Sequence, residues 1–148
     1  MPIATDDPLQ WAVLPNAAVE IRLVPGPTRP VIEIAGNHEG LLSLGNLLFW
    51  ASSDPAEHEF LSITGLSFVK VSARLSLVVV QSLSETETPR MRLIDDDCQF
   101  EWHVHDSHLE AVAESTMRVA FAPDGYTPDH FHPELTSASE ADLIVGRV

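Results

Sequence analysis

The sequence predicts an α+β fold with two helices, built as a tandem duplication of a ββαββ unit packed into one domain with a mainly antiparallel sheet. Three observations predict it. Short runs alternate apolar with polar residues at period 2, the mark of half-buried strands. Two longer runs carry apolar residues at helical spacing. The order strand, turn, strand, helix start then recurs at a fixed offset of 70 residues.

Taken in chain order, Val19, Ile21 and Leu23 alternate with Glu20 and Arg22 as a first strand. Pro25-Gly26-Pro27-Thr28-Arg29-Pro30 breaks the pattern as a loop, and Ile32 and Ile34 flank Glu33 in a returning strand. Asn37 stands in an N-cap position ahead of Leu41, Leu42, Leu44, Leu47, Leu48, Phe49 and Trp50. That helix is apolar almost all round, so it should be largely buried. Further strands are expected from Glu59 to Thr64 and through Leu75 to Val80, the latter starting as early as Phe68.

At the fixed offset, Ile21-Arg22-Leu23 falls on Met91-Arg92-Leu93, Ile32 and Ile34 fall on Trp102 and Val104, and Asn37 and His38 fall on Ser107 and His108. Ser107-His108-Leu109-Glu110 spells a capping box, in which hydroxyl and carboxylate satisfy each other's free amide donors. Leu109, Val112, Ala113, Thr116, Met117, Ala120 and Phe121 follow as a helical stripe ended by Pro123, and Asp142 to Gly146 reads as a last strand. The repeats are placed at 17–82 and 88–148 within a single domain, 1–148. Each has one helix to cover one face of a small sheet, so the units must pack together to bury the rest. Trp50 and Trp102 are expected in the core, and Trp11, in a Pro-flanked segment, either there or as an exposed anchor.

The charge balance excludes whole classes of partner. With 22 Asp and Glu against 8 Lys and Arg the chain carries −14, and Lys70 is its only lysine. Nucleic acid and anionic membrane surfaces are held by clustered cations, which this chain lacks. The charge is uneven: from Asp95 onward twelve acids face Arg118 and Arg147 alone. Hydrophobic residues make up 45%, too many for a chain without a core. A single cysteine, Cys98, leaves no intramolecular disulfide, and the first residues have neither the basic start nor the apolar run of a signal peptide. The expectation is a cytoplasmic protein.

Five of seven histidines lie in the second half, as His103, His105, His108, His130 and His132. His103 and His105 would share one face of a strand, and His130 and His132 repeat the arrangement around Phe131. Brought together, the two pairs could supply imidazoles to zinc, iron or copper, with Glu101, Asp106 or Glu110 adding a carboxylate. His103-Val104-His105 followed by Glu110 approaches the first metal motif of cupins, without its glycines and with a helix where continuing strand is needed. The other reading puts these histidines on the solvent face of strands whose aromatics form the core. Asp95, Asp96 and Asp97 precede Cys98 and disfavour a thiolate there. The chain contains no nucleophile elbow, phosphate-cradling glycine loop or dinucleotide fingerprint.

The stretch Ile32-Glu33-Ile34-Ala35-Gly36-Asn37-His38-Glu39-Gly40-Leu41-Leu42, with the leucine-rich helix after it, His58 and the strand near Ser72 to Val78, resembles the immunity protein 32 family of bacterial polymorphic toxin systems. The likeness runs from Val31 to Ser82, and the second half departs from it at Asp106-Ser107. The resemblance implies a protein that protects a cell by binding a cognate toxin, and it brings no catalytic residues.

Composition and resemblance lead to one functional expectation: a non-enzymatic acidic protein that binds a basic protein partner, with Asp95, Asp96, Asp97 and Glu101 as contact residues. The alternative is a metal-dependent, cupin-like enzyme or metal-binding protein holding zinc or iron on His103, His105, His130 and His132.

Overall fold

The computed structural model describes residues 13–53, 60–71, 75–81, 90–95, 98–122 and 140–147. The elements follow as β1 (Val19–Val24), β2 (Val31–Gly36), α1 (His38–Ser53), β3 (Phe60–Ser62), β4 (Val69–Val71), β5 (Ser76–Val80), β6 (Arg90–Asp95), β7 (Gln99–His103), α2 (Asp106–Ala120) and β8 (Asp142–Arg147). The strands form two four-stranded sheets, ordered β4-β1-β2-β8 and β3-β5-β7-β6. The class is α+β with two helices, as expected from the periodicity.

The sheets are mixed, which corrects the expectation of a mainly antiparallel one. β1·β2, β3·β5 and β6·β7 are antiparallel, whereas β1·β4, β2·β8 and β5·β7 are parallel. Alternation identifies a half-buried strand but not its neighbour, and here each sheet takes strands from both halves of the chain. The run expected from Phe68 is likewise divided, with β4 in the first sheet and β5 in the second.

Each sheet contains a hairpin with a parallel strand beside its second strand; the hairpin is central in the first sheet and at one edge in the second. In the first, Ile21 faces Ile34 and Leu23 faces Ile32, with Val145 and Leu143 of β8 alongside. In the second, Met91 faces Trp102 and Leu93 faces Phe100, with Val79 and Leu77 of β5 alongside. Trp102 therefore stands where Ile34 does, not Ile32, and the fixed offset of 70 fails after the first strand. The loop between β6 and β7 is shorter than that between β1 and β2, and a bulge between Leu93 and Asp95 returns only one residue.

The inward residues of both sheets and both helices form one core. It includes Ile21, Ile32, Leu77, Met91, Leu143 and the expected Trp102, which is 1% exposed. α1 is buried on most sides, as its composition required, and α2 buries the stripe Leu109, Val112, Ala113, Thr116, Val119 and Ala120. The buried hydroxyls of the two helices are hydrogen-bonded. Ser43 Oγ donates to Glu39 O (2.7 Å) and accepts from Leu14 N (2.8 Å), and Thr116 Oγ1 donates to Val112 O (2.8 Å). The helices cross where Gly45 lets them, since a Cβ there would stand 2.6 Å from Met117 Cγ.

The turn into α1 explains Gly36-Asn37-His38-Glu39-Gly40-Leu41 residue by residue. Asn37 Oδ1 accepts from Gly40 N (2.7 Å) and Ala18 N (3.1 Å), while its Nδ2 donates to Asn16 O (2.8 Å). One amide side chain thus caps the helix and ties it to the approach of β1. Gly40 lies against the Ala18 backbone, where a Cβ would meet Ala18 O at 2.3 Å. The Gly36-to-Leu41 element is a packing device.

α2 starts two residues earlier than the capping box implies. His105, in extended conformation, is the N-cap, and its Nδ1 accepts from Ser107 N (3.2 Å). Asp106 then supplies the acid of the first turn. At the far end, His38 Nδ1 lies 2.7 Å from Ala120 O, so the first residue of α1 donates to the last turn of α2, with the Phe121 ring against its own at 4.9 Å.

The segment 140–142 joins the sheets. Glu140 N donates to Met91 O (2.8 Å) and its carboxylate accepts from Leu93 N (3.1 Å), covering the outer edge of β6. Two residues on, Asp142 N donates to Pro30 O (3.0 Å) and Asp142 Oδ1 takes Arg29 Nε and Nη2 at 3.0 and 2.6 Å.

Candidate binding surfaces

His103 and His105 lie at and just beyond the end of β7, and each has a local polar partner. His103 is the last residue of β7, mostly buried, with Nε2 3.0 Å from Glu101 Oε1. His105 lies beyond the strand, where its Nδ1 stands 2.8 Å from Asp106 Oδ1 and 2.9 Å from Ser107 Oγ. That nitrogen is used within its own helix turn. Among the described residues no three His, Cys, Asp or Glu side chains are grouped to hold a metal, and His130 and His132 lie outside those residues.

The acidic candidates separate in the same way. Glu101 faces Arg92 across the hairpin, yet its carboxylate turns along its own strand to His103. It acts as a local partner of an imidazole more than as a free surface acid. Asp95 ends β6, while Asp96 and Asp97 lie outside the described residues. Cys98 follows with φ 61°, the left-handed turn residue that returns the chain into β7, and is partly buried.

The bulge in β6 builds a surface that the sequence pattern did not suggest. Ile94 has no partner across the hairpin, and Leu93 and Ile94 are both turned toward solvent, 38% and 47% exposed. Bulges re-aim side chains in this way. A signal was present, since two adjacent apolar residues cannot both face one core when Arg90-Met91-Arg92 has set a period of 2. The hairpin tip therefore shows an apolar pair directly beside three aspartates in sequence.

A second surface lies on the outer face of the first sheet. Lys70, Glu20 and Ala35 are cross-strand neighbours on β4, β1 and β2, and they line an open cleft of about 500 Å³ together with Ala17, Ala18, Ser67 and Phe68. Farther along the same face, Arg22 pairs with Glu33, which raises the guanidinium's pKa, and more weakly with Glu20 at 3.7 Å.

No helix among the described residues is long and apolar enough to cross a membrane. Comparison with protein-family models, curated proteins and solved structures finds no match to this chain.

Proposed function

We propose that this is a non-enzymatic acidic binding protein of the immunity type, acting in the cytoplasm, which neutralises a basic toxin by direct contact through the β6–β7 hairpin. The observation that carries the reading is the exposed Leu93 and Ile94 beside Asp95, Asp96 and Asp97. An apolar centre with a charged rim is the usual anatomy of a protein–protein interface. The surplus of acids after Leu93 would speed encounter with a cationic partner and set its orientation. The likeness of Val31 to Ser82 to immunity proteins agrees with this role.

The same proposal covers the architecture: two ββαββ repeats, 17–82 and 88–148, whose closing strands are exchanged. In support, β8 lies parallel to β2 as β5 lies parallel to β7, with Leu143 and Val145 matching Leu77 and Val79. Such an exchange makes the halves interdependent.

Affinity capture from the native organism tests the function. The expected result is a basic protein retained at low salt, released at high salt, and lost when Asp95, Asp96 and Asp97 are reversed to lysine or when Leu93 and Ile94 become serine. A retained protein indifferent to both changes, or no retained protein, would overturn the proposal.

A further inference from the structure

The cleft on the first sheet combines three features that together define a ligand. Ala35 contributes only a methyl to its lining. Ala17, Ala18 and Phe68 add apolar surface to the lining of this open cleft of about 500 Å³. Two opposite charges stand on one row of the sheet, Lys70 on β4 and Glu20 on β1. Neighbouring strands bring such residues to within about 5 Å at the backbone, close enough for a cross-strand ion pair. Yet among the described residues Lys70 makes no ion pair, and the Glu20 carboxylate reaches only toward Arg22, at 3.7 Å. The Lys70 ammonium thus lines a largely apolar cleft with no carboxylate of the described residues bound to it.

We propose that this cleft binds a small zwitterion with an apolar side chain, a free amino acid or dipeptide of the phenylalanine or leucine kind. The ligand carboxylate meets Lys70, its ammonium meets Glu20, and its side chain lies over Ala35 against Phe68. The site is separate from the β6–β7 hairpin and does not depend on the immunity reading.

Titration of the ¹⁵N-labelled full chain tests it, with the amides of Ala18, Ala35 and Lys70 as reporters and three probes: L-phenylalanine, phenylalaninamide and N-acetylphenylalanine. L-phenylalanine should give saturable shifts at these amides, and each blocked probe should bind about five-fold more weakly, as expected for one exposed charge contact. Lys70→Gln should lower L-phenylalanine to the level of phenylalaninamide while leaving phenylalaninamide unchanged. Glu20→Gln should do the same with respect to N-acetylphenylalanine. Both side chains are exposed, so the variants keep the fold, which the rest of the spectrum checks. Absence of saturable shifts up to about 20 mM L-phenylalanine, weaker than any useful small-ligand affinity, overturns the proposal. So does an affinity order that neither substitution alters.

Discussion

Replacing Gly40 with alanine sets two effects against each other, and the geometry decides between them. Gly40 is in the first turn of α1, where alanine is favoured over glycine by about 0.8–1.0 kcal/mol on helix propensity. The added methyl carbon, however, would lie 2.3 Å from Ala18 O, 2.8 Å from Ala18 C and 2.9 Å from Ala18 N, where ordinary contact begins near 3.4 Å. Every one of those atoms is backbone. Ala18 cannot easily retreat by the required ångström, because Asn37 Oδ1 holds its N–H and Asn37 N holds its carbonyl, both at 3.1 Å. Overpacking costs about 1–3 kcal/mol, and loss of those two hydrogen bonds adds about 1 kcal/mol each. After the helix gain is subtracted, the net loss is about 2–4 kcal/mol, or roughly 5–15 °C in Tm for a chain of this size. Urea unfolding followed by circular dichroism measures it. The comparison is Gly45→Ala, whose new methyl would meet Met117 Cγ at 2.6 Å and Ala113 O at 3.3 Å; its severe clash is with a side chain and not with backbone, so the loss should be smaller than for Gly40→Ala. A Gly40→Ala protein as stable as the parent, or less destabilised than Gly45→Ala, would refute the steric argument.

Three other perturbations probe separate parts of the fold. Arg29→Ala and Asp142→Ala should show coupling of about 1–2 kcal/mol in a double-mutant cycle by urea unfolding, because the pair is half-buried and doubly hydrogen-bonded. Trp102→Phe should cost less than about 1.5 kcal/mol in the same assay, against about 3–5 kcal/mol for Trp102→Ala. The indole N–H is buried with no hydrogen-bond partner among the described residues, so phenylalanine removes an unsatisfied donor while keeping most of the ring. Glu140→Ala should promote self-association in light scattering, whereas Glu140→Gln should not. The alanine frees the Leu93 N–H on an edge strand beside exposed Leu93 and Ile94, and glutamine retains an acceptor.

Local features were legible and distant ones were not. Val19 to Leu23, Ile32 to Ile34 and the Asn37 cap were readable because side-chain alternation and capping are properties of neighbouring residues. The start of α2 was misread because Ser107 and Glu110 have the spelling of a capping box, while the cap is formed by His105, a residue type that rarely takes the role. The parallel pairing of β8 with β2 left no mark in either strand, since Leu143-Ile144-Val145 alternates identically beside any neighbour. The same limit applies to the surfaces. Asp95 to Asp97 announced themselves by charge, and the Leu93-Ile94 doublet could have been noticed, but the cleft depends on β4 joining β1 in parallel, which brings Lys70 beside Glu20 from fifty residues away.

The pairing of β2 with β8 also sets a timetable for synthesis. β2 must wait about 110 residues for the strand that completes its sheet, whereas β5 finds β7 after only about 23. At about 5–20 residues per second, the first interval lasts roughly 6–20 s and the second a few seconds at most. Synthesis therefore supplies every strand of the second sheet before β8 appears, and until then the β1–β2 hairpin has no partner strand for the outer edge of β2.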